Sequence, residues 1–154
     1  MTEKLSKEML EHFEAETEKT LNRSGYRLTR QRREVLDALM EITDQHPTAS
    51  EVFMRVKAQS PTISLATVYN TLEKFSECAV IKQVNVEREP TRYCANLQEH
   101  AHFFCTDCGK VIDAPVHDPR KLTESWSLPD GTRVTSHEVV MHGVCPECNR
   151  KAEA

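Results

Sequence analysis

Apolar residues recur with a helical period up to about residue 75 and with a strand period beyond it. Residues 3–24 form a polar, helix-favouring stretch that Gly25 is placed to end. From Thr29 onward Val35, Leu36, Leu39 and Ile42 make an apolar stripe. Thr48-Ala-Ser-Glu51 is a capping box, in which hydroxyl and carboxylate satisfy free amides at a helix start. Ala49, Val52, Phe53 and Val56 give that helix its inner face. Pro61 breaks the chain, and Ser64 caps a further helix with Val68, Leu72 and Phe75 inward.

The period then shortens to two. Residues 80–86 read as a strand, 87–90 as a turn and 91–95 as a return strand. Short helices followed by a β-hairpin give the order of a winged helix-turn-helix, although an unrelated small α+β domain would show the same pattern. Beyond a boundary near 97–99, residues 102–105, 110–113 and 133–142 read as strands, with a short helix over 119–126. The predicted class is α+β, with one domain over 1–97 and a second over 98–154. The second has few large apolar residues, so a structural metal would help to hold it.

Composition narrows the function classes. The 154 residues carry 20 basic and 24 acidic side chains, a net charge of −4. The charge is uneven: residues 3–18 hold six glutamates, whereas 19–33 carry Lys19, Arg23, Arg27, Arg30, Arg32 and Arg33 with no acid. Such a block can contact phosphates, or it can be a solvated helix face. No apolar run reaches membrane-span length and the N-terminus lacks a secretory pattern, so a cytoplasmic protein with no membrane partner is expected.

Four of the six cysteines fall in two pairs, Cys105-Thr-Asp-Cys108 and Cys145-Pro-Glu-Cys148, separated by 36 residues. Two such knuckles suit a tetrahedral four-thiolate zinc site. The rivals are disulfides or a redox pair, and a redox pair normally comes singly beside a βαβ unit not evident here. With four thiolates zinc keeps no open position, so the site is expected to stabilise rather than catalyse. A zinc deaminase would need a His-x-Glu ahead of its Pro-Cys-x-x-Cys, which this chain lacks. Gly109, Gly143 and Pro146 fit the knuckle turns. His100 and His102 lie two apart, so on a strand both rings project from one face. With Asp113 and Cys94 they offer nitrogen, oxygen and sulfur donors for a second metal.

The segments 26–32 (YRLTRQR), 46–52 (HPTASEV), 63–72 (ISLATVYNTL), 100–109 (HAHFFCTDCG) and 145–148 (CPEC) together resemble the ferric uptake regulator family of bacterial metal-responsive repressors. The resemblance implies a homodimer with an N-terminal winged helix, a C-terminal α/β dimerisation domain and double-stranded promoter DNA as partner. It implies structural zinc on Cys105, Cys108, Cys145 and Cys148, and a regulatory metal on His46, Cys94, His100, His102 and Asp113. Position 94 often carries a carboxylate in iron- and peroxide-responsive members, and cysteine there is similar to the zinc uptake regulator branch. A soft thiolate favours Zn²⁺, whereas nitrogen and oxygen donors suit Fe²⁺ or Mn²⁺. Zinc sensing is therefore expected, with iron or peroxide response as alternatives. His137 matches one ligand of a further site found in some members, but Glu99, Ala101 and Arg120 fit its other positions poorly.

The resemblance also makes the helix from Ser64 the DNA reader, with Tyr69 and Asn70 at base-contact positions. Asn can bond adenine bidentately, and a tyrosine ring can touch a thymine methyl. Arg27 matches a position that reaches an A·T-rich minor groove. Ser64, Thr67, Arg30 and Arg32 are expected near phosphates. An enzyme acting on a small molecule is the competing class. Yet the chain has no His-Glu-x-x-His, nucleophile elbow or glycine-rich phosphate loop, and only four glycines in all.

Overall fold

The computed structural model describes residues 6–153 and divides the chain into two compact units, Met1–Leu97 and Gln98–Ala154. The first three positions of the helix expected over 3–24 lie outside the described residues.

Unit 1 runs α1 (Lys7–Arg23), α2 (Arg30–Glu41), a 3₁₀ turn (Thr43–Gln45), α3 (Ala49–Gln59), α4 (Leu65–Glu77) and the hairpin β1 (Lys82–Val84) with β2 (Arg92–Cys94). Side-chain oxygens of Ser6, Thr29, Thr48 and Ser64 each accept from a backbone N–H in the first turn that follows. At Thr48 the reciprocal half of the capping box is also formed, its own N–H donating to the Glu51 carboxylate at 2.7 Å. Gly25 ends α1 in the left-handed conformation (φ +80), with Tyr26 N donating to Leu21 O and Gly25 N to Asn22 O. Alanine performs the same task after α4: Ala79 (φ +56) bonds Ser76 O, and Val80 bonds Phe75 O. The core joins Leu21 of α1 to Val35, Leu36 and Leu39 of α2, Val52 and Val56 of α3, and Val68, Leu72 and Phe75 of α4. Ile81 and Tyr93 of the hairpin close it, and Cys78 packs at its margin.

Unit 2 runs β3 (His100–Cys105), β4 (Val111–Pro115), α5 (Pro119–Glu124), β5 (Val140–Gly143) and α6 (Pro146–Glu153). β3 is central, antiparallel to β4 and parallel to β5. The strand expected over 133–142 is confined to 140–143. Residues 132–138 have no ladder partner among the described residues and stay exposed, Val134 included, so their alternating pattern has no face to bury. The helix α6 was not expected. Pro146 occupies its first position, where a missing N–H costs nothing. No helix among the described residues is long and apolar enough to cross a membrane.

Candidate functional site

The four paired cysteines converge within unit 2. Cys105 ends β3, and the chain turns back through Gly109 (φ +72), whose N–H bonds Cys105 O at 2.9 Å. Cys145 and Cys148 flank the first turn of α6. All four sulfurs lie within 4.8 Å of one another, and Cys108 Sγ is 3.8 Å from Cys145 Sγ. Four sulfurs held 2.3 Å from one zinc ion would be separated by roughly 3.8 Å at tetrahedral angles. The cluster therefore has the size of a zinc site, and none of these cysteines is disulfide-bonded. Gly143 serves differently from the expected knuckle turn. A Cβ there would come within 3.1 Å of the Phe103 ring, so its role is to admit that ring.

Electrostatics within the cluster point the same way. Backbone N–H groups of Cys108 and Cys145 hold the Cys105 thiol down to about 6, and the Cys145 N–H lies 3.3 Å from that sulfur. Cys148 is pushed up to about 12 because it hydrogen-bonds the Cys145 and Cys108 sulfurs and faces Cys105. Cys105 gives up its proton readily, whereas the neighbouring sulfurs hold Cys108 and Cys148 in the thiol form. A divalent ion would stabilise all four as thiolates.

A second convergence lies on the sheet of unit 2. Antiparallel register sets His102 opposite Asp113, and His100 shares their face two residues away. His100 Nε2 is 3.0 Å from His102 Nε2, and Asp113 Oδ1 is 3.2 Å from the first and 3.4 Å from the second. Donors placed 2.1 Å from a common ion are about 3.0 Å apart at right angles and about 3.4 Å apart at tetrahedral angles. The three separations span that range. His100 Nδ1 lies 2.6 Å from the Gln98 carbonyl, which can only accept. The ring therefore carries its proton on Nδ1 and turns the Nε2 lone pair toward the cluster, the arrangement that orients a ligating histidine.

Unit 1 holds a smaller pair. The 3₁₀ turn ends at His46 in the left-handed region (φ 48), which histidine enters more readily than most residues. β2 runs beside this segment: Tyr93 N donates to Pro47 O, Arg92 donates to the His46 carbonyl at 3.1 Å, and Ala95 N reaches Thr43 Oγ1. A His46 ring nitrogen and Cys94 Sγ consequently lie within 4.8 Å of each other. His137, by contrast, is paired with Glu99 at 2.6 Å.

The residues expected to meet DNA also belong to unit 1. On α4, Val68, Thr71, Leu72 and Phe75 face the core while Tyr69 and Asn70 are exposed. Ser64 and Thr67 hold each other at 2.8 Å at the helix start. Arg27 is exposed, and Arg30 is solvated but pairs with Glu34 at 3.1 Å. Arg32 is committed locally: it donates to the Arg27 carbonyl at 2.6 Å and lies over the Tyr26 ring, which Lys74 of α4 also covers. These contacts brace the Arg27 segment. Arg33 pairs with Glu14 of α1.

Comparison with known proteins agrees with this inventory. The ferric uptake regulator family matches residues 23–150. The peroxide-responsive repressor PerR of Staphylococcus aureus is 31% identical over 144 residues, covering 94% of this chain and 97% of the relative. Among solved structures, the Campylobacter jejuni peroxide stress regulator is 28% identical with a TM-score of 0.63, covering 92% of this chain and 97% of that one. A zinc-bound manganese uptake regulator is 27% identical with a TM-score of 0.63, covering 84% and 98%. The chain belongs to the ferric uptake regulator family of metal-responsive transcriptional regulators.

Proposed function

We propose that this protein is a zinc-responsive, homodimeric repressor that binds promoter DNA when its regulatory metal is bound. The observation that carries the proposal is the convergence of His100, His102 and Asp113 at metal-ligand separations, quite apart from the four-cysteine cluster. The cysteine cluster fits a closed structural zinc site. His46 and Cys94 supply the remaining donors, and Cys94 brings the thiolate that favours Zn²⁺. The bound ion supplies a crosslink and no redox chemistry.

Metal binding would favour one arrangement of the homodimer, in which both α4 helices could enter the major groove together. Moving such an equilibrium from 1:99 to 99:1 takes about 5.5 kcal/mol of differential metal binding. Dimerisation is assigned to unit 2, where Trp126, Leu128, Val134 and Met141 are exposed and β5 is an edge strand. Asn70 and Tyr69 are assigned to base edges, with Arg27 in the minor groove and Ser64, Thr67 and Arg30 near phosphates. Arg32 would act through Arg27. The workplace of such a regulator is the cytoplasm.

A second reading, an iron- or peroxide-responsive repressor, is favoured by the two-histidine, one-carboxylate composition of the unit 2 cluster, which also suits Fe²⁺ or Mn²⁺. The test is a gel shift against duplexes selected from a random pool by the metal-loaded protein. Replacing His100 and His102 by Ala together should abolish metal-dependent binding while leaving a folded dimer. A retained metal response would refute the assignment.

A further inference from the structure

The residues assigned to the two grooves of DNA stand on separate elements of unit 1. Tyr69 and Asn70 are carried by α4, which Val68, Leu72 and Phe75 anchor in the core. Arg27 belongs to the link between α1, ending at Arg23, and α2, beginning at Arg30. A link has no helix ladder to order it, so its distance from α4 must be set by side chains. Leu28 is buried in the core on one side of Arg27. On the other side stands Tyr26, which packs at the core margin and donates its N–H to Leu21 O at 2.9 Å.

The Tyr26 ring is met by cations from both helices. Lys74 Nζ of α4 lies 4.9 Å from the ring centroid and Arg32 Cζ of α2 lies 5.7 Å from it, both within cation–π reach. Glu77, paired with Lys74 at 2.7 Å, and the Tyr26 hydroxyl hold that ammonium above its ordinary range, so it stays charged beside the ring. Arg32 meanwhile donates to the Arg27 carbonyl at 2.6 Å, and the same oxygen accepts the Thr29 N–H at 3.0 Å. One ring therefore connects the reader helix, the start of α2 and the backbone of Arg27.

We propose that Tyr26 is a positioning residue that fixes Arg27 relative to α4, so that the two grooves are read at one set spacing. The ring itself needs no contact with DNA. The minor groove beside an occupied major groove is centred about five base pairs away, half of one helical turn. Arginine there favours A·T-rich sequence, because a narrow groove concentrates negative potential. Held by Tyr26, Arg27 places that preference at a constant offset from the base read by Asn70. Released, it would keep its charge and lose its register. This inference rests on the reading of unit 1 as the DNA-binding part of a repressor, and it assigns the spacing of two contacts to a side chain that makes neither.

The experiment uses the full chain with zinc bound and two duplexes that share the core selected by wild type. They differ in carrying A·T or G·C pairs about five base pairs from the core centre. By fluorescence anisotropy, wild type should prefer the A·T flank and Arg27→Ala should erase that preference. Tyr26→Leu keeps an apolar side chain at the core margin but removes the ring. It should weaken binding to the A·T-flanked duplex by about fivefold, the effect of losing two exposed cation–π contacts, and leave the G·C-flanked duplex unchanged. Tyr26→Phe should behave as wild type. Adding Tyr26→Leu to Arg27→Ala should cost nothing further, since the first acts through the second. Should Tyr26→Leu fail to fold, Lys74→Gln leaves the core intact and should still narrow the flank preference. Equal loss on both duplexes would mark a merely structural role and overturn the inference. So would identical behaviour of Tyr26→Leu and Tyr26→Phe, additive losses with Arg27→Ala, or a flank preference that survives Arg27→Ala. Equal DNA affinity with and without the regulatory metal would instead defeat the zinc-responsive reading, while the flank comparison would still decide the role of Tyr26.

Discussion

Loss of the structural zinc should melt unit 2 and leave unit 1 folded. Apart from the cysteines, the buried apolar side chains of unit 2 among the described residues are Ala101, Phe104 and Val111. Burying a Phe or Val contributes about 1.5–3 kcal/mol, so these three supply roughly 5 kcal/mol together. Structural zinc in small domains contributes about 10–16 kcal/mol, the larger quantity by a factor of two or more. Unit 1 needs no such help, because Leu21, Leu36, Leu39, Leu72 and Phe75 are all fully buried in its core. The sharpest perturbation is Cys145→Ser, which places a hydroxyl where the buried sulfur lies 3.8 Å from Cys108 Sγ. Exhaustive chelation is its chemical equivalent. Hydrogen exchange read by mass spectrometry should show β3 and β4 amides exchanging at unfolded rates in either case, while α2, α3 and α4 keep their protection. Unchanged protection of β3 in zinc-free protein would refute the reasoning and make the cysteine cluster incidental to the fold.

Asn70→Ala should cost about 1–3 kcal/mol of binding on a selected duplex and relax one base preference, measured by fluorescence anisotropy against selected and mixed-sequence DNA; equal loss on both would remove Asn70 from base reading. Ala79→Gly should raise the denaturation midpoint of unit 1 slightly. Relief of a left-handed alanine is worth about 1–2 kcal/mol, and glycine's freedom in the unfolded chain takes back about 0.4–1 kcal/mol, so a lower midpoint would show no strain at that turn. Cys94→Asp should weaken zinc binding more than Fe²⁺ binding in a competition titration, and unaltered selectivity would reject the thiolate as the selector.

Local chemistry made much of this molecule legible. Thr48 with Glu51, Thr29 and Ser64 announce helix starts because a short polar side chain before an apolar stripe has one favourable task. The Cys-x-x-Cys pairs and His100-x-His102 are equally local, since knuckle and strand geometry aim their donors without help from distant residues. What the sequence hid depends on partners far along the chain. Residues 132–138 alternate like a strand, yet only the stretch from Val139 to Gly143 reaches β3, in parallel register after a long crossover. The position of His46 rests on a 3₁₀ turn of three residues, Thr43–Gln45, too short to leave a periodic signal. Helix α6 carries no buried side chain, so it lacks the apolar stripe that marks the others. The hydrogen bond from Arg32 to the Arg27 carbonyl is likewise invisible in a sequence, where only the charge shows.

The central claim is that metal and DNA bind to one and the same arrangement of the chain. It is tested most directly by measuring zinc affinity at the regulatory site with and without a saturating selected duplex, the four-cysteine site being filled throughout. Thermodynamic linkage requires the duplex to tighten zinc binding by the same factor by which zinc tightens duplex binding. The account predicts a large shared factor that collapses toward one in His46→Ala. Identical zinc affinity in the two conditions would contradict it.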